Sequence, residues 1–376
     1  MIYLDNAATT KPSKNAVDAM MSVGEMFGNP SSLHGLGLAA EKAIKEAKAQ
    51  IASKLNCSPN CIYFTSGGTE ANNTIIFGVA NARKKWGTHL VTSKIEHPSV
   101  LEAFKRLERE GFSVTYLDAD NDGRVSISDI KNAVTDKTTL ISIMYVNNET
   151  GVIQPVDMIK DEISDIAKNA FIHSDCVQAF GKINVNVKKM KLDFATISAH
   201  KIHAFKGVGA MYISDTRYVS PLIYGGEQQS GLRPGTENVG GILAFGAAAK
   251  DIKTDTQKFK ALREHFKNRL INEVPDIVIN GSDEFNSNTV LNVSFLGIKA
   301  EILLHALEAK GVYVSTGSAC SSHKPQPSHV LVAMGKNDKE VGGAVRFSFS
   351  YATSILELDE AVEIIKSETA MIRRFM

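Results

Sequence analysis

The chain has 376 residues, of which 43% are hydrophobic and 22% charged, and its formal net charge is +1. This length is typical of about two domains, and an ordinary apolar fraction with a net charge near zero excludes global disorder. The charge balance also argues against nucleic-acid and membrane-surface proteins, because both usually need a positive face.

Helical and strand patterns alternate up to about residue 250. Apolar residues recur every three or four positions from Ala40 to Leu55, which predicts an amphipathic helix. Such alternation predicts an α/β domain with a large, mainly parallel sheet of the seven-stranded type, covered by helices. The predicted strands are 62–65, 89–92, 113–117, 138–146, 170–174, 194–198 and 208–213, and helices are predicted at 99–110 and 157–168.

The pattern changes beyond residue 250, where strands are fewer and the segments between them longer. A smaller α+β domain is therefore predicted. We assign residues 15–252 to the large domain and residues 1–14 with 253–376 to the small domain. Its predicted elements are helices at 254–271, 301–309 and from 357 onward, with strands at 277–279, 289–295 and 345–350.

Location and redox state are predicted from what the sequence lacks. Its longest apolar stretches, 140–146 and 239–249, are far shorter than the ~20 residues of a membrane span. No basic or apolar leader opens the chain, and four cysteines do not make a disulfide framework. We therefore predict a cytoplasmic, reduced protein without a membrane span.

Two segments imitate ligand-binding loops. The acidic run 118–129 resembles a calcium loop, but a predicted strand precedes it and Asp129 stands where a bidentate Glu is required. Gly35 and Gly37 match a loose dinucleotide fingerprint, but they follow a turn-rich loop and not a strand. We predict neither a metal site nor a nicotinamide site.

Polar residues follow five predicted strands at their carboxyl ends, where α/β sheets bind ligands. Gly68 and Thr69 begin a helix after the first of these strands, and a helix N-terminus suits a phosphate. Lys201 follows another strand, and a lysine there forms a Schiff base once desolvation lowers its pKa. Asp175 ends a third strand, where a carboxylate can pair with a cationic ring nitrogen.

Taken singly, each motif has an ordinary alternative, such as a capped turn, a surface lysine or a helix-capping aspartate. His97 and Asn148 follow the two remaining strands, so five polar clusters share one predicted edge. A phosphate cradle, a reactive lysine, a carboxylate for a ring nitrogen and a histidine for stacking together describe a site for pyridoxal 5'-phosphate.

Cys320 lies in a segment of small and polar residues followed by prolines, which predicts an exposed loop. His323 and Lys324 would favour its thiolate. An incidental loop cysteine is the alternative. The other three cysteines are interpreted as structural, with Cys176 as a buried neighbour of the site and Cys57 and Cys61 beside a strand start.

Together these motifs resemble the cysteine desulfurases of the NifS/IscS type, which are fold-type I pyridoxal-phosphate enzymes. The similarity begins at Tyr3-Leu-Asp-Asn-Ala-Ala-Thr-Thr10 and extends almost to the C-terminus. The motifs that follow in family order are Asn147-Asn-Glu-Thr-Gly151, Ser198-Ala-His-Lys201, Arg233-Pro-Gly-Thr236, Gly317-Ser-Ala-Cys320 and Arg346-Phe-Ser-Phe.

This resemblance implies a role for each matching residue. Lys201 corresponds to the lysine that carries the cofactor and acts as general base, Asp175 to the partner of the ring nitrogen, and His97 to the stacked histidine that handles the substrate thiol proton. Gln178 corresponds to the residue near the ring hydroxyl, and Cys320 to the cysteine that accepts sulfur. The implied phosphate ligands are Gly68, Thr69, Ser198 and His200, with Thr236 from the neighbouring subunit, and the implied ligands of the substrate carboxylate are Asn148 and Arg346.

The resemblance implies a homodimer that converts L-cysteine to L-alanine and leaves a persulfide on Cys320. A sulfur-acceptor protein would then use that sulfur for iron–sulfur cluster assembly, tRNA thiolation or cofactor synthesis. The alternatives are a selenocysteine lyase or cysteine-sulfinate desulfinase, an aminotransferase-like relative, and a catalytically silent regulator with the same fold. Two departures, Ala199 for the family's Gly and Ala204-Phe205 for its Gly-Pro, are expected to add bulk beside the cofactor.

Overall fold

The computed structural model describes residues 1–317 and 327–375. Strand β1 (Ile2–Tyr3) precedes a seven-stranded sheet, which is the largest sheet of the described chain. Its strands are β2 (Ile62–Thr65), β3 (His89–Ser93), β4 (Ser113–Leu117), β5 (Thr138–Ser142), β6 (Phe171–Asp175), β7 (Phe194–Ser198) and β8 (Gly209–Ile213).

The order of strands in this sheet is β2-β8-β7-β6-β5-β3-β4. Strand β8 runs antiparallel to both of its neighbours, and the other six strands point the same way. The predicted mainly parallel sheet is therefore confirmed. Because the six strands run in the same direction, the carboxyl ends of β2, β3, β5, β6 and β7 lie at one edge of the sheet.

Helices cover both faces of the sheet because alternate strand residues point to opposite sides. Phe64 and Ile141 pack in one core cluster, which Ile51 joins, whereas their neighbours Tyr63 and Leu140 pack in another. The helices of this part are α1 (Lys14–Met21), α2 (Gly35–Leu55), α3 (Gly68–Arg83), α4 (Pro98–Arg109), α5 (Ile127–Ala133), α6 (Val156–Ile163) and α7 (Val239–Asp251).

The C-terminal third has its own antiparallel sheet and core. The sheet order is β12-β13-β10-β9, and β1 from the N-terminus pairs with β11. Phe266, Leu303 and Ile365 pack in the core cluster of this part. The division into two domains stays a prediction. The elements are α8 (Thr256–Glu273), β9 (Ile277–Asn280), β10 (Val290–Phe295), α9 (Ala300–Ala309), β11 (Val312–Tyr313), β12 (Ser315–Thr316), α10 (His329–Ala333), α11 (Asp338–Gly342), β13 (Ala344–Ser348) and α12 (Ile355–Arg374).

The largest differences from the predicted bounds are at the ends of two elements. Strand β5 ends at Ser142 and not at residue 146, because the Met144 N–H donates to the buried Glu96 side chain at 2.8 Å instead of to a strand. Helix α6 ends at Ile163 and not at residue 168, since the chain turns there. Among the described residues, no helix is long and apolar enough to cross a membrane.

Candidate active site

The five strand ends meet at a cavity of about 220 Å³. Thr236 does not line it: this residue is exposed and borders a separate cavity with Arg233. Cys320 lies outside the described residues. The predicted site residues that do line the cavity are Gly68, Thr69, His97, Asn148, Asp175, Gln178, Ser198, His200, Lys201 and Arg346.

The N-terminus of α3 forms one end of the cavity. Its N-cap is Gly67, which makes no side-chain capping hydrogen bond, so the first amides of this 16-residue helix are open to an anion. A methyl group at Gly68 would lie 3.0 Å from a methyl of Val177, which would have to shift by a few tenths of an ångström, so the backbone approaches its neighbour closely here. The negative charge of Glu70 is paired with Arg233 at 2.8 Å. This end of the cavity therefore suits a phosphate.

His200 stands beside the same end of the cavity. Its Nδ1 lies 3.2 Å from the Thr9 hydroxyl. Burial is the main reason that the pKa of His200 falls to about 4, so the ring is neutral at pH 7. A neutral imidazole still has one N–H to donate, which together with the Ser198 hydroxyl can hydrogen-bond to phosphate oxygens.

Asp175 is held at the end of β6 by two donors. Its Oδ1 accepts from the Val177 N–H at 2.9 Å, and its Oδ2 accepts from Asn72 Nδ2 at 2.8 Å. Asn72 also donates to the Ser99 hydroxyl at 2.9 Å. The hydrogen bonds from Val177 and Asn72 fix the Asp175 carboxylate in the cavity, where it can pair with a protonated ring nitrogen.

His97 is the N-cap of α4, and the cap determines its tautomer. The Ser99 backbone N–H donates to Nδ1 at 3.1 Å, so Nδ1 is the acceptor and a neutral ring carries its proton on Nε2. Burial lowers the pKa of His97, and the nearby Asp175 offsets only part of that shift. A neutral imidazole beside the cavity can both stack on an aromatic ring and exchange a proton.

Lys201 reaches into the cavity from the turn after β7. Its Nζ donates to the carbonyl oxygens of Ala7 at 2.6 Å and Ala8 at 2.7 Å. Gln178 Nε2 donates to the same Ala7 oxygen at 2.9 Å. The N-terminal segment thus anchors two of the predicted cofactor residues.

Arg346, on β13, is almost completely buried and lines the same cavity. Its guanidinium donates to the Asn148 carbonyl and to Asp5 Oδ1, each at 3.0 Å. Among the described residues its Nε has no hydrogen-bond partner. A planar guanidinium in this position can bind a carboxylate through two parallel hydrogen bonds.

Sequence reasoning missed three contributors: Asn72, Asp5 and the carbonyl of Ala7. Asn72 follows Thr69 by three residues, so helical periodicity would have placed both on one face of α3. Asp5 and Ala7 belong to the N-terminal family motif, but nothing local marks their contacts: Asp5 pairs with Arg346 across 341 positions, and the Ala7 carbonyl accepts from Lys201 and Gln178 across 194 and 171 positions.

The two sequence departures do not fill the cavity, contrary to the expectation of added bulk. Ala199 and Ala204 are buried in the core cluster that contains Phe64 and Ile141, and Phe205 packs against it. None of the three lines the cavity. Their side chains are therefore accommodated by the core.

This fold and site belong to a known class of proteins. The aminotransferase class-V family model matches residues 2–360, so the chain is a class-V aminotransferase family member. Within it, the chain is 39% identical to the cysteine desulfurase IscS of Clostridium botulinum, covering 97% of this chain and 93% of that protein. The chain therefore belongs to the cysteine desulfurases, which confirms the family predicted from its motifs.

Solved structures agree with this assignment. A NifS-like protein superposes with a TM-score of 0.92 at 35% identity, covering 98% of this chain and 99% of the other. A second structure, described as SspA in complex with cysteine, has a TM-score of 0.83 at 34% identity and covers 93% of this chain and 99% of its own.

The chain is accordingly a pyridoxal-phosphate-dependent enzyme, and its cavity fits that group. The uncapped amides of α3 suit the phosphate, and the Asp175 carboxylate suits the ring nitrogen. Asn72 Oδ1 is buried without a hydrogen-bond partner among the described residues, as expected beside a site that a ligand completes.

Glu149 is a buried carboxyl that contacts described residues on both sides of segment 318–326. Its Oε2 accepts from the Ser328 hydroxyl at 2.5 Å, and a methyl group at Gly317 would clash with the same oxygen. Burial is the main reason that the pKa of Glu149 is raised.

Replacing Ser328 with alanine should lower the free energy of unfolding by about 2–4 kcal/mol, because it removes a donor to a buried carboxyl and the cap of α10. Urea denaturation measures this. Ser53→Ala, at an exposed helix position, should change stability by no more than about 0.5 kcal/mol. Equal stability of the two variants would contradict the anchoring role of Ser328.

Proposed function

We propose that this enzyme removes sulfur from L-cysteine, releases L-alanine and keeps the sulfur as a persulfide on Cys320 for transfer to an acceptor. The observation that supports this most directly is the convergence of Lys201, Asp175 and His97 on one cavity that Arg346 also lines. Iron–sulfur cluster assembly, tRNA thiolation and cofactor synthesis all use such a sulfur donor.

Pyridoxal phosphate, when bound, supplies an electron sink that makes the Cα–H of the substrate acidic and weakens its Cβ–S bond. Asp175 keeps the ring nitrogen protonated. Lys201 holds the cofactor at rest and then moves the proton at the substrate Cα. His97, whose Nε2–H is the donor left by the Ser99 contact, hydrogen-bonds to the substrate sulfur and so manages the thiol proton, and the Cys320 thiolate takes the sulfur. Cysteine and one enzyme thiol thus become alanine and one persulfide.

Arg346 and Asn148 are proposed to orient the substrate carboxylate. Arg346→Lys should raise the Michaelis constant for cysteine by about 10- to 100-fold, since an ammonium cannot make the two parallel hydrogen bonds of a guanidinium. The visible spectrum of the bound cofactor should stay unchanged. Steady-state kinetics test this, with thermal unfolding as the check for the lost Asp5 contact; an unaltered Michaelis constant would move the carboxylate site elsewhere.

We also propose a homodimer with Thr236 supplied to the neighbouring cavity. Thr236 is exposed and does not line the cavity of its own chain, and Leu222, Ile223 and Tyr224 are 40%, 41% and 82% exposed. Apolar surface of this kind is typical of an interface. A cytoplasmic location is proposed because Cys57, Cys61 and Cys176 are free thiols.

One experiment tests the proposed reaction. Purified enzyme loaded with pyridoxal phosphate is given L-cysteine, and alanine release is measured alongside the visible absorption of the cofactor. Parallel reactions with selenocysteine and cysteine sulfinate identify the alternative substrates. Cofactor binding without release of alanine from any of the three would support a silent regulator and refute the proposed function.

A further inference from the structure

Lys182 is a buried lysine without a role in the reaction as derived so far. Only 6% of this residue is exposed. Its Nζ donates to Oε1 of Gln178 at 2.6 Å, so its partner is a neutral amide and not a carboxylate. Burial, with smaller contributions from the charges of Lys201 and Arg346, lowers the pKa of Lys182 to about 7. A buried cation is costly, which makes its position next to a cofactor residue informative.

The Gln178 amide is held at both ends. Oε1 accepts from Lys182, while Nε2 donates to the Ala7 carbonyl at 2.9 Å. An ammonium can only donate and a carbonyl can only accept, so both contacts require the same orientation of the amide. In that orientation Oε1 is occupied, and the second N–H of Nε2 remains for a ligand in the cavity that Gln178 lines.

We propose that Lys182 is a positioning residue that fixes Gln178 as a hydrogen-bond donor toward the bound cofactor. The inference rests on the proposed function, in which Gln178 lies near the ring hydroxyl of pyridoxal phosphate. A donor there stabilises the deprotonated ring oxygen, whereas a reversed amide would present a lone pair to it. Lys182 is not among the described residues that line the cavity, so its effect passes through Gln178.

The test is a double-mutant cycle with Lys182→Met, Gln178→Leu and the combined variant. Methionine keeps the length of the apolar stem and removes the donor. Apoenzyme is titrated with pyridoxal phosphate for the dissociation constant, and the visible absorption of the loaded enzyme is followed against pH. Each single variant should raise the dissociation constant by about 10-fold and shift the pH midpoint of the absorption change. The combined variant should be no worse than Gln178→Leu alone.

Lys267→Met is the matched control, because Lys267 on α8 is also largely buried but pairs with a carboxylate, that of Asp283 in the loop between β9 and β10, at 3.0 Å. It should lower the temperature of unfolding and leave cofactor affinity and spectrum unchanged. Lys182→Arg keeps a hydrogen-bond donor and should bind pyridoxal phosphate almost as tightly as the wild-type enzyme. If Lys182→Met does not fold, Lys182→Arg takes its place in the test.

Additive losses in the combined variant would overturn the proposal, because Lys182 would then act through its charge or packing and not through Gln178. An unchanged affinity and spectrum in a folded Lys182→Met variant would overturn it as well. Failure of the wild-type enzyme to release alanine from cysteine would instead refute the proposed function, independently of Lys182.

Discussion

Replacing Lys201 with alanine is expected to lower the turnover of L-cysteine by about 10³-fold or more, while the protein stays folded. Lys201 is the lysine at the carboxyl end of β7, and its Nζ lies 2.6 and 2.7 Å from the carbonyl oxygens of Ala7 and Ala8 at the cavity. The variant would lose both the covalent holder of the cofactor and the group that moves the Cα proton. Alanine release under cofactor saturation measures the loss.

Lys206→Ala is the control for the loss of a charge nearby, because Lys206 is exposed in the segment that follows Lys201. It should retain turnover. The Lys201 variant should still bind pyridoxal phosphate non-covalently, since the α3 amides and Asp175 remain. Full turnover by a cofactor-saturated Lys201→Ala enzyme would show that another residue holds the cofactor.

The part of the site that sequence reasoning predicted is the part encoded next to strand ends. Thr65, Asp175 and Ser198 are the last residues of their strands, so the residues that follow must reach the same edge of the sheet. The alternation of helices and strands along the chain predicts that these strands run parallel to one another. Local pattern and one topological rule therefore suffice to bring Gly68, Gln178 and Lys201 together.

The contacts that escaped prediction join distant parts of the chain. Asp5 pairs with Arg346 across 341 positions. The buried Glu96 side chain accepts a hydrogen bond from the N–H of Met144, and this bond ends strand β5 earlier than predicted. Neither partner shows a periodicity that marks the contact. Side-chain acceptors of this kind compete with the regular strand ladder, and their effect is visible only in three dimensions.

Cys320→Ser is expected to abolish persulfide formation and alanine release while cofactor binding is retained. Cys320 lies outside the described residues, so its assignment rests on the family motif and on the properties of the other three cysteines. Serine is similar in size but is a far weaker nucleophile at neutral pH. The substitution therefore tests the chemistry of sulfur transfer and not the fold.

The other cysteines are poorly suited to accept sulfur. Cys176 is fully buried, and burial raises its pKa to about 12. Burial also raises the pKa of Cys57 to about 12 and shifts that of Cys61 upward. Both precede the amino end of β2, at the sheet edge opposite the cavity. At neutral pH all three remain protonated thiols, and a thiol attacks sulfur far more slowly than a thiolate.

Peptide mass mapping after incubation with L-cysteine should therefore place the additional sulfur atom on Cys320. Cys61→Ser is the matched control, because Cys61 is only partly buried, and its loss should leave turnover and labelling unchanged. Labelling of Cys57, Cys61 or Cys176, or normal turnover by Cys320→Ser, would contradict sulfur transfer through Cys320. Such a result would require a thiol that burial holds protonated to become the nucleophile, and so a rearrangement around β2 or β6 before sulfur could be accepted.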